Sequence, residues 1–277
     1  MPTSAQHTPP GEDLRWSARR PLPRGSMVVF EGKMINYRNN WKGSVVSSIL
    51  EPVLFLAAMG ISLGTLVDQG GRLDQGVDYL VFLAPGLLAA TAMQTATFES
   101  TYPIMGSLKW NKLFEGILST PVEVRDLVSG HLLFILFRLG TTATVFLAVM
   151  GAFGALELPL GLLAFPAAVL TGLAFAAPVS AFAAWVKNDA GFAALIRFGL
   201  VPMFLFSGTF FPVTQLPVLL QPLAYATPLW HGVSLTRGLS LGDLDPRLAL
   251  VNVAYLSAVL LLGVWLARRQ FAKRLVI

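Results

Sequence analysis

Residues 158–186 read LPLGLLAFPAAVLTGLAFAAPVSAFAAWV, 29 positions without one Asp, Glu, Lys or Arg. A helix that crosses the roughly 30 Å hydrocarbon core of a bilayer needs about 20 apolar residues, so this run is long enough to span. A transmembrane barrel would instead alternate in polarity over strands of about ten residues, which this run does not do. The whole chain agrees with the run. Of 277 residues, 55% are apolar and 13% charged, against a charged share of about 25% in soluble domains, and the mean hydropathy is +0.65. So little charge cannot cover a water-facing surface. Five further apolar runs fall at 45–67, 79–98, 127–153, 192–211 and 248–267. The predicted fold is an all-α integral membrane protein with six transmembrane helices.

The basic residues set the orientation. With the N-terminus inside, sixteen of the twenty Lys and Arg flank the runs on the cytoplasmic side, among them Lys33, Lys109, Lys112, Lys187 with the nearby Arg197, and Arg268. Only Arg72, Arg237 and Arg247 fall outside, and Arg138 lies within a run. That bias predicts both termini in the cytoplasm. The net charge of +5 is explained by these flanks, so no nucleic-acid partner is expected. No cysteine is present, which excludes disulfides, thiolate metal sites and cysteine nucleophiles. Residues 1–25 hold five prolines and no apolar core; they read as a disordered cytoplasmic tail rather than a signal peptide.

Between 26 and 42, Met27, Phe30, Met34, Tyr37 and Trp41 recur at spacings of 3, 4, 3 and 4. This pattern predicts an interfacial helix on the inner leaflet, either a simple anchor or a contact for a cytoplasmic subunit. At 108–120 Trp110, Leu113, Phe114, Ile117 and Leu118 form one apolar stripe, with Lys109, Lys112 and Glu115 on the other faces. Twelve or so residues are too few to span. The stretch Thr120-Pro121-Val122-Glu123 then predicts a capping box that opens the third span. Pattern alone leaves open whether the short helix is a surface connector or a contact for a partner.

The outside segment 212–247 carries five prolines yet is largely apolar. Two short helices, 216–225 and 228–239, are expected as a re-entrant hairpin over 212–240, shielded by neighbouring spans. Within the spans Glu51 and Arg138 are the clearest charges, about 9 Å and 16 Å from the ends of their runs at 1.5 Å per residue. The favoured expectation is a structural pair between them rather than contact with substrate, while Glu99 orders the cytoplasmic end of span two. His131 and His231 lack carboxylates at ligand spacing and read as interfacial histidines, with no metal site.

Two motifs carry a resemblance. The run 99–126 with its amphipathic helix and Leu118-Ser119-Thr120-Pro121-Val122, together with Phe206-Ser207-Gly208-Thr209-Phe210-Phe211-Pro212 and the later Leu216-Pro217, resembles type-2 ABC exporter permeases. The subgroup they are most similar to comprises nodulation-type lipo-oligosaccharide and daunorubicin-type drug exporters. The resemblance implies that 26–277 is one permease domain of the cell inner (plasma) membrane, paired as a homodimer and driven by two separate cytoplasmic ATPase subunits that bind ATP and Mg. It implies that 108–120 is the coupling helix, with Trp110, Leu113, Phe114, Glu115, Thr120 and Pro121 as its ATPase-coupling residues. It further implies that Ser207, Gly208, Phe210, Phe211 and Pro212 border the transport path. For the two phenylalanines an outer gate and an interfacial aromatic belt both stay open. Gly60-x-x-x-Gly64 permits close helix approach without marking an interface.

The chain has no ATP-binding loop or other cofactor site of its own: its one Gly-Lys pair, Gly32-Lys33, is followed by Met34, where a phosphate-cradling loop needs Ser or Thr. The motifs do not choose among lipid-linked saccharide, polyketide and drug as substrate. A membrane-embedded enzyme using Glu51, Glu99 or His131 and a passive channel or scaffold are the competing classes; no paired-histidine metalloprotease motif supports the former.

Overall fold

Where no water is available, a backbone must pair its own N–H and C=O groups, and the apolar runs do so as helices. The computed structural model describes residues 24–58 and 78–275, with the side chains of 40, 42–49, 51 and 52 excepted. Among the described residues there is no strand, and four helices are long and apolar enough to cross a membrane: Tyr79–Trp110, Val124–Ala152, Leu160–Trp185 and Pro246–Leu275. They overlie the runs expected at 79–98, 127–153, 158–186 and 248–267, the first and last extending beyond them to Trp110 and Leu275. A fifth apolar helix, Ala190–Phe206, covers most of the run at 192–211 but falls short of a spanning length. The tail, the Glu51 side chain, Asp74 and the second half of 45–67, with Gly60 and Gly64, lie outside the described residues.

In chain order the elements are α1 (Gly25–Leu56), α2 (Tyr79–Ser100), a turn and π-helix over Tyr102–Met105 and Gly106–Trp110, α3 (Leu113–Leu118), α4 (Val124–Ala152) and α5 (Ala164–Trp185). There follow α6 (Ala190–Phe206), α7 (Gln221–Tyr225), α8 (Pro228–Ser240) and α9 (Pro246–Leu275). α5 is the centre, with α2, α4, α8 and α9 packed on it. α9 approaches α5 closely at Gly263, where a Cβ would stand 2.5 Å from Pro178 Cδ. Small residues buy such proximity in membrane helices, where dispersion contacts replace the hydrophobic drive.

The segment expected as an interfacial helix, 26–42, is continuous with the start of the first run: α1 does not break between them. Gly43 stands at the expected joint, and one glycine in a helix costs only about 1 kcal/mol. Phe30 and Tyr37 do not rest on lipid either. They pack on α4, Phe30 against Phe137 at 6.5 Å between ring centres and Tyr37 against Phe134 and Phe137 at 6.1 and 5.8 Å. Gly130 admits α1, because a side chain there would meet the Ser26 carbonyl at 2.5 Å.

Among the described residues the carboxylate that meets Arg138 is Glu99; the side chain of Glu51, the expected partner, lies outside them. Arg138 Nε donates to Glu99 Oε1 at 3.0 Å and its Nη1 to the Tyr37 hydroxyl at 3.1 Å, so α1, α2 and α4 share one polar tie. The helical register of 79–98 continues to Glu99 and aims it at α4, which depth from the ends of runs does not reveal. Removing one partner of a mostly buried pair strands the other charge. Glu99→Gln and Arg138→Met should each lower the thermal midpoint of the detergent-solubilised protein, and the double variant should lose less than the sum. A strictly additive double variant would mean the two do not interact.

Candidate coupling and transport sites

The expected coupling helix is broken. After Ser100 the chain bends at Thr101 and passes through a π-turn over Gly106–Trp110. Lys112, at φ +48, interrupts the helix before α3 begins. The left-handed backbone at Lys112 ends the stripe that an unbroken helix would have carried, and the residues separate. Phe114 is 1% exposed, its ring 5.8 Å from Phe271 of α9, so it fastens α3 to α9 and is not on the surface. Trp110 is 65% exposed; Leu113, Glu115, Thr120 and Pro121 are exposed beside it. The capping box sits three residues later than expected: Glu123, not Thr120, is the cap, and its N–H donates to Asp126 Oδ2 at 3.3 Å. Thr120 instead closes the end of α3, its hydroxyl donating to the Ile117 carbonyl at 2.6 Å.

This end of the molecule is cross-tied. Lys109 Nζ donates to the Lys187 carbonyl in the loop between α5 and α6. Arg274 Nη1 donates to the carbonyls of Ala184 and Val186 at 2.6 and 2.8 Å. Ile104, Met105 and Leu108 share a buried cluster with Val186, Phe192 and Phe271. Phe114 of α3 belongs to the same cluster.

At the other end α6 stops at Phe206, and Ser207 to Pro212 form a turn. Gly208 has φ +82, a conformation that glycine adopts without strain. Ser207 Oγ lies 2.9 Å from Thr227 Oγ1, and Thr227 caps α8 by accepting from the Trp230 N–H. Phe210 stands edge-on to Phe204 at 4.9 Å and 6.2 Å from Phe55. Phe211 faces the other way, into a small cluster with Val213, Leu216, Ala224 and Trp230. The two rings thus stitch the turn to α6 and α1 on one side and to the following segment on the other.

Of the two short helices expected after the motif, α8 forms at 228–240 and the first shrinks to α7 at 221–225. Leu216 is extended, at ψ 152, as a residue before proline prefers, and Pro217 cannot donate to a helix there. α8 is buried against α2, α5 and α9. With it go two residues expected at the surface. His231 is 6% exposed, 2.7 Å from Asn252 Oδ1 and stacked on Tyr255 at 4.0 Å. Arg237 donates to three main-chain carbonyls, those of Phe82, Gly208 and Thr209, at 3.1, 2.9 and 3.3 Å. His131, also expected at an interface, is buried in α4 at 3% exposure.

Arg237, Thr227 and Phe271 are functional candidates that the motifs alone do not name. A signal for Arg237 exists, because it is the single charged residue between 212 and 242, and a lone charge in an apolar segment marks a site. Thr227 before Pro228 is a recognisable cap. Nothing in the pattern distinguishes Phe271 from a lipid-facing aromatic.

Comparison with known proteins agrees with the motifs. The sequence matches the ABC-2 type transporter family over residues 26–241. It is 32% identical over 261 residues to Nodulation protein J of Rhizobium leguminosarum bv. viciae, covering 91% of this chain and 98% of that protein. It is 34% identical over 201 residues to Nodulation protein J of Sinorhizobium fredii (71% and 75%) and 34% identical over 207 residues to that of Rhizobium meliloti (73% and 78%). A chain built of apolar helices, carrying both motifs and matched over most of its length, belongs to the ABC-2 type transporter family: it is the membrane subunit of a transporter, not an enzyme, and its ATPase is a separate partner.

Proposed function

We propose that the chain is the permease half of an ATP-driven exporter of the inner (plasma) membrane, in which two copies and two ATPase subunits, with ATP and Mg bound to the latter, move an amphiphilic substrate outward. The substrate class is a lipid-linked saccharide, a polyketide or a drug-like amphiphile. Six spans with both termini inside complete the reading, counting 45–67 and 192–211 with the four long helices. The observation that carries it is the division of labour between the two ends. At one end Trp110 and Glu115 stand exposed on a segment fastened to α5 and α9, as a contact for a driving subunit requires. At the other, the Ser207–Pro212 turn is cross-tied and lined with aromatics, as a closed exit requires.

A second copy also fits α6. This helix rests only lightly on the rest of the chain, with Arg197 exposed and Phe198 83% exposed. A charge facing lipid is costly, whereas one facing a partner or a polar path is not.

The orientation is tested by labelling. The protein has no cysteine, and Lys112, Lys187 and Asp243 are exposed. A single cysteine at Asp243 should react with an impermeant maleimide added to whole cells or spheroplasts, and one at Lys112 or Lys187 only after permeabilisation. The reverse pattern would contradict an export path running from the coupling end to the Phe210 end.

A further inference from the structure

Arg237 is a partly buried cation whose hydrogen bonds go to main-chain carbonyls. Its three hydrogen bonds use three of the five guanidinium N–H donors, and with the Phe82 ring, whose centre lies 3.8 Å from the guanidinium carbon, they bind α8, α2 and the turn after α6 into one unit. Main-chain oxygens do not neutralise the charge, and a desolvated cation gains most from an ionised partner. The next acidic residue along the chain is Asp243. α8 ends at Ser240 and Gly242, at φ +70, turns the chain back. The Asp243 main-chain oxygen comes to lie 3.2 Å from where a Cβ on Gly238 would be, one residue beyond Arg237.

Arg237 and Asp243 line one cavity of about 420 Å³, bordered also by Gly208 and Pro212 of the motif. Asp245 lines it as well, but its Oδ1 accepts from the Arg247 N–H at the start of α9. Asp243 is exposed and makes no ion pair among the described residues.

We propose that Arg237 is a two-position latch on the outer gate. In the closed position its guanidinium holds the carbonyls of Gly208, Thr209 and Phe82. In the open position it crosses the cavity to the Asp243 carboxylate and lets the Ser207–Thr209 turn go. No covalent bond changes and no proton moves: charge–dipole hydrogen bonds are exchanged for a charge–charge one. Because the cation has a partner at both ends of its travel, neither position strands it, which is the condition for a bistable element. The inference rests on the gate reading of the Ser207–Pro212 turn.

The reporter is Thr209→Cys in the otherwise cysteine-free chain. Thr209 is fully buried and its hydroxyl has no hydrogen-bond partner, so the exchange removes no hydrogen bond. In liposomes containing the permease with its ATPase subunits, an impermeant maleimide is added from the side proposed to face outward. With Arg237 and Asp243 intact, the introduced thiol should label slowly at rest and about tenfold faster during ATP turnover, as a gating motion predicts. With Asp243→Asn the rate should stay slow in both conditions, and with Arg237→Gln it should be fast without ATP. An equal rise in the Asp243→Asn and parent proteins would overturn the latch and leave the gate standing. No rise in the parent while ATP is hydrolysed would overturn both, and slow resting labelling in a folded Arg237→Gln variant would overturn the latch. If that variant does not fold, the Asp243→Asn comparison decides alone.

Discussion

Vesicles containing the Phe210→Ala, Phe211→Ala double variant should leak ions or a small dye without ATP, about tenfold faster than vesicles with the parent protein, as expected when a dewetted constriction is opened to water. The two rings point to different supports: Phe210 leans on Phe204 and Phe55, and Phe211 on the Val213, Leu216 and Trp230 cluster. Truncating both therefore removes the bulk and loosens the turn from both sides at once. Some stability is lost as well. Fully buried Phe→Ala changes cost about 3–5 kcal/mol, and these half-buried rings should cost less, so the variant should assemble. The control is Phe206→Ala. That ring is exposed at the end of α6, and if aromatics here act only as an interfacial belt, the two variants should behave alike. A double variant that assembles, stays tight and exports normally would remove Phe210 and Phe211 from the gate.

The second large effect is expected far from either site. Gly263→Val should abolish a folded, monodisperse protein in detergent. A Cβ at Gly263 would lie 2.5 Å from Pro178 Cδ and 2.6 Å from Pro178 N. The obstacle is a proline ring and main chain inside α5, which no rotamer change can move. α9 would have to back away from the helix on which the whole fold is centred. Overpacking in a core costs about 1–3 kcal/mol where side chains can adjust, and here they cannot. Gly32→Ala is the contrast, since nothing lies within 4 Å of its added carbon; it should be neutral or slightly stabilising, because alanine is the better helix former. Comparable size-exclusion profiles for Gly263→Val and the parent protein would mean that α5 and α9 do not pack as described.

Four of the helices are legible in the sequence because length and apolarity decide them, and 79–98, 127–153, 158–186 and 248–267 have both. What is not legible has one common cause. An aromatic side chain reads the same whether it faces lipid, a neighbouring helix or a partner protein. Phe30 and Tyr37 read as a lipid-facing stripe and pack on α4; Phe114 reads as a docking residue and is buried on Phe271. Charges are only partly legible for a related reason, since depth along a run does not give the direction a side chain points. Arg138 finds Glu99, and Arg237, one of the three basic residues assigned outside, is turned inward on the carbonyls of Gly208 and Thr209. Local backbone chemistry accounts for the remainder. The left-handed Lys112 divides 108–120, and Glu123, rather than Thr120, caps α4, with Asp126 completing the box. The two motifs survive these revisions because glycine and proline impose their turns wherever the neighbouring rings end up.

The central claim is that a separate ATPase drives this permease through the exposed face of residues 108–121, and cross-linking tests it most directly. A single cysteine placed at Trp110 or Glu115 should, once labelled with a maleimide–benzophenone photocross-linker, join the permease to its ATPase subunit in the assembled complex on illumination. Adding Trp110→Ala and Glu115→Lys together should leave ATP hydrolysis running without transport. A complex that assembles and transports, yet yields no cross-link from either position and keeps full coupling in the double variant, would contradict the account.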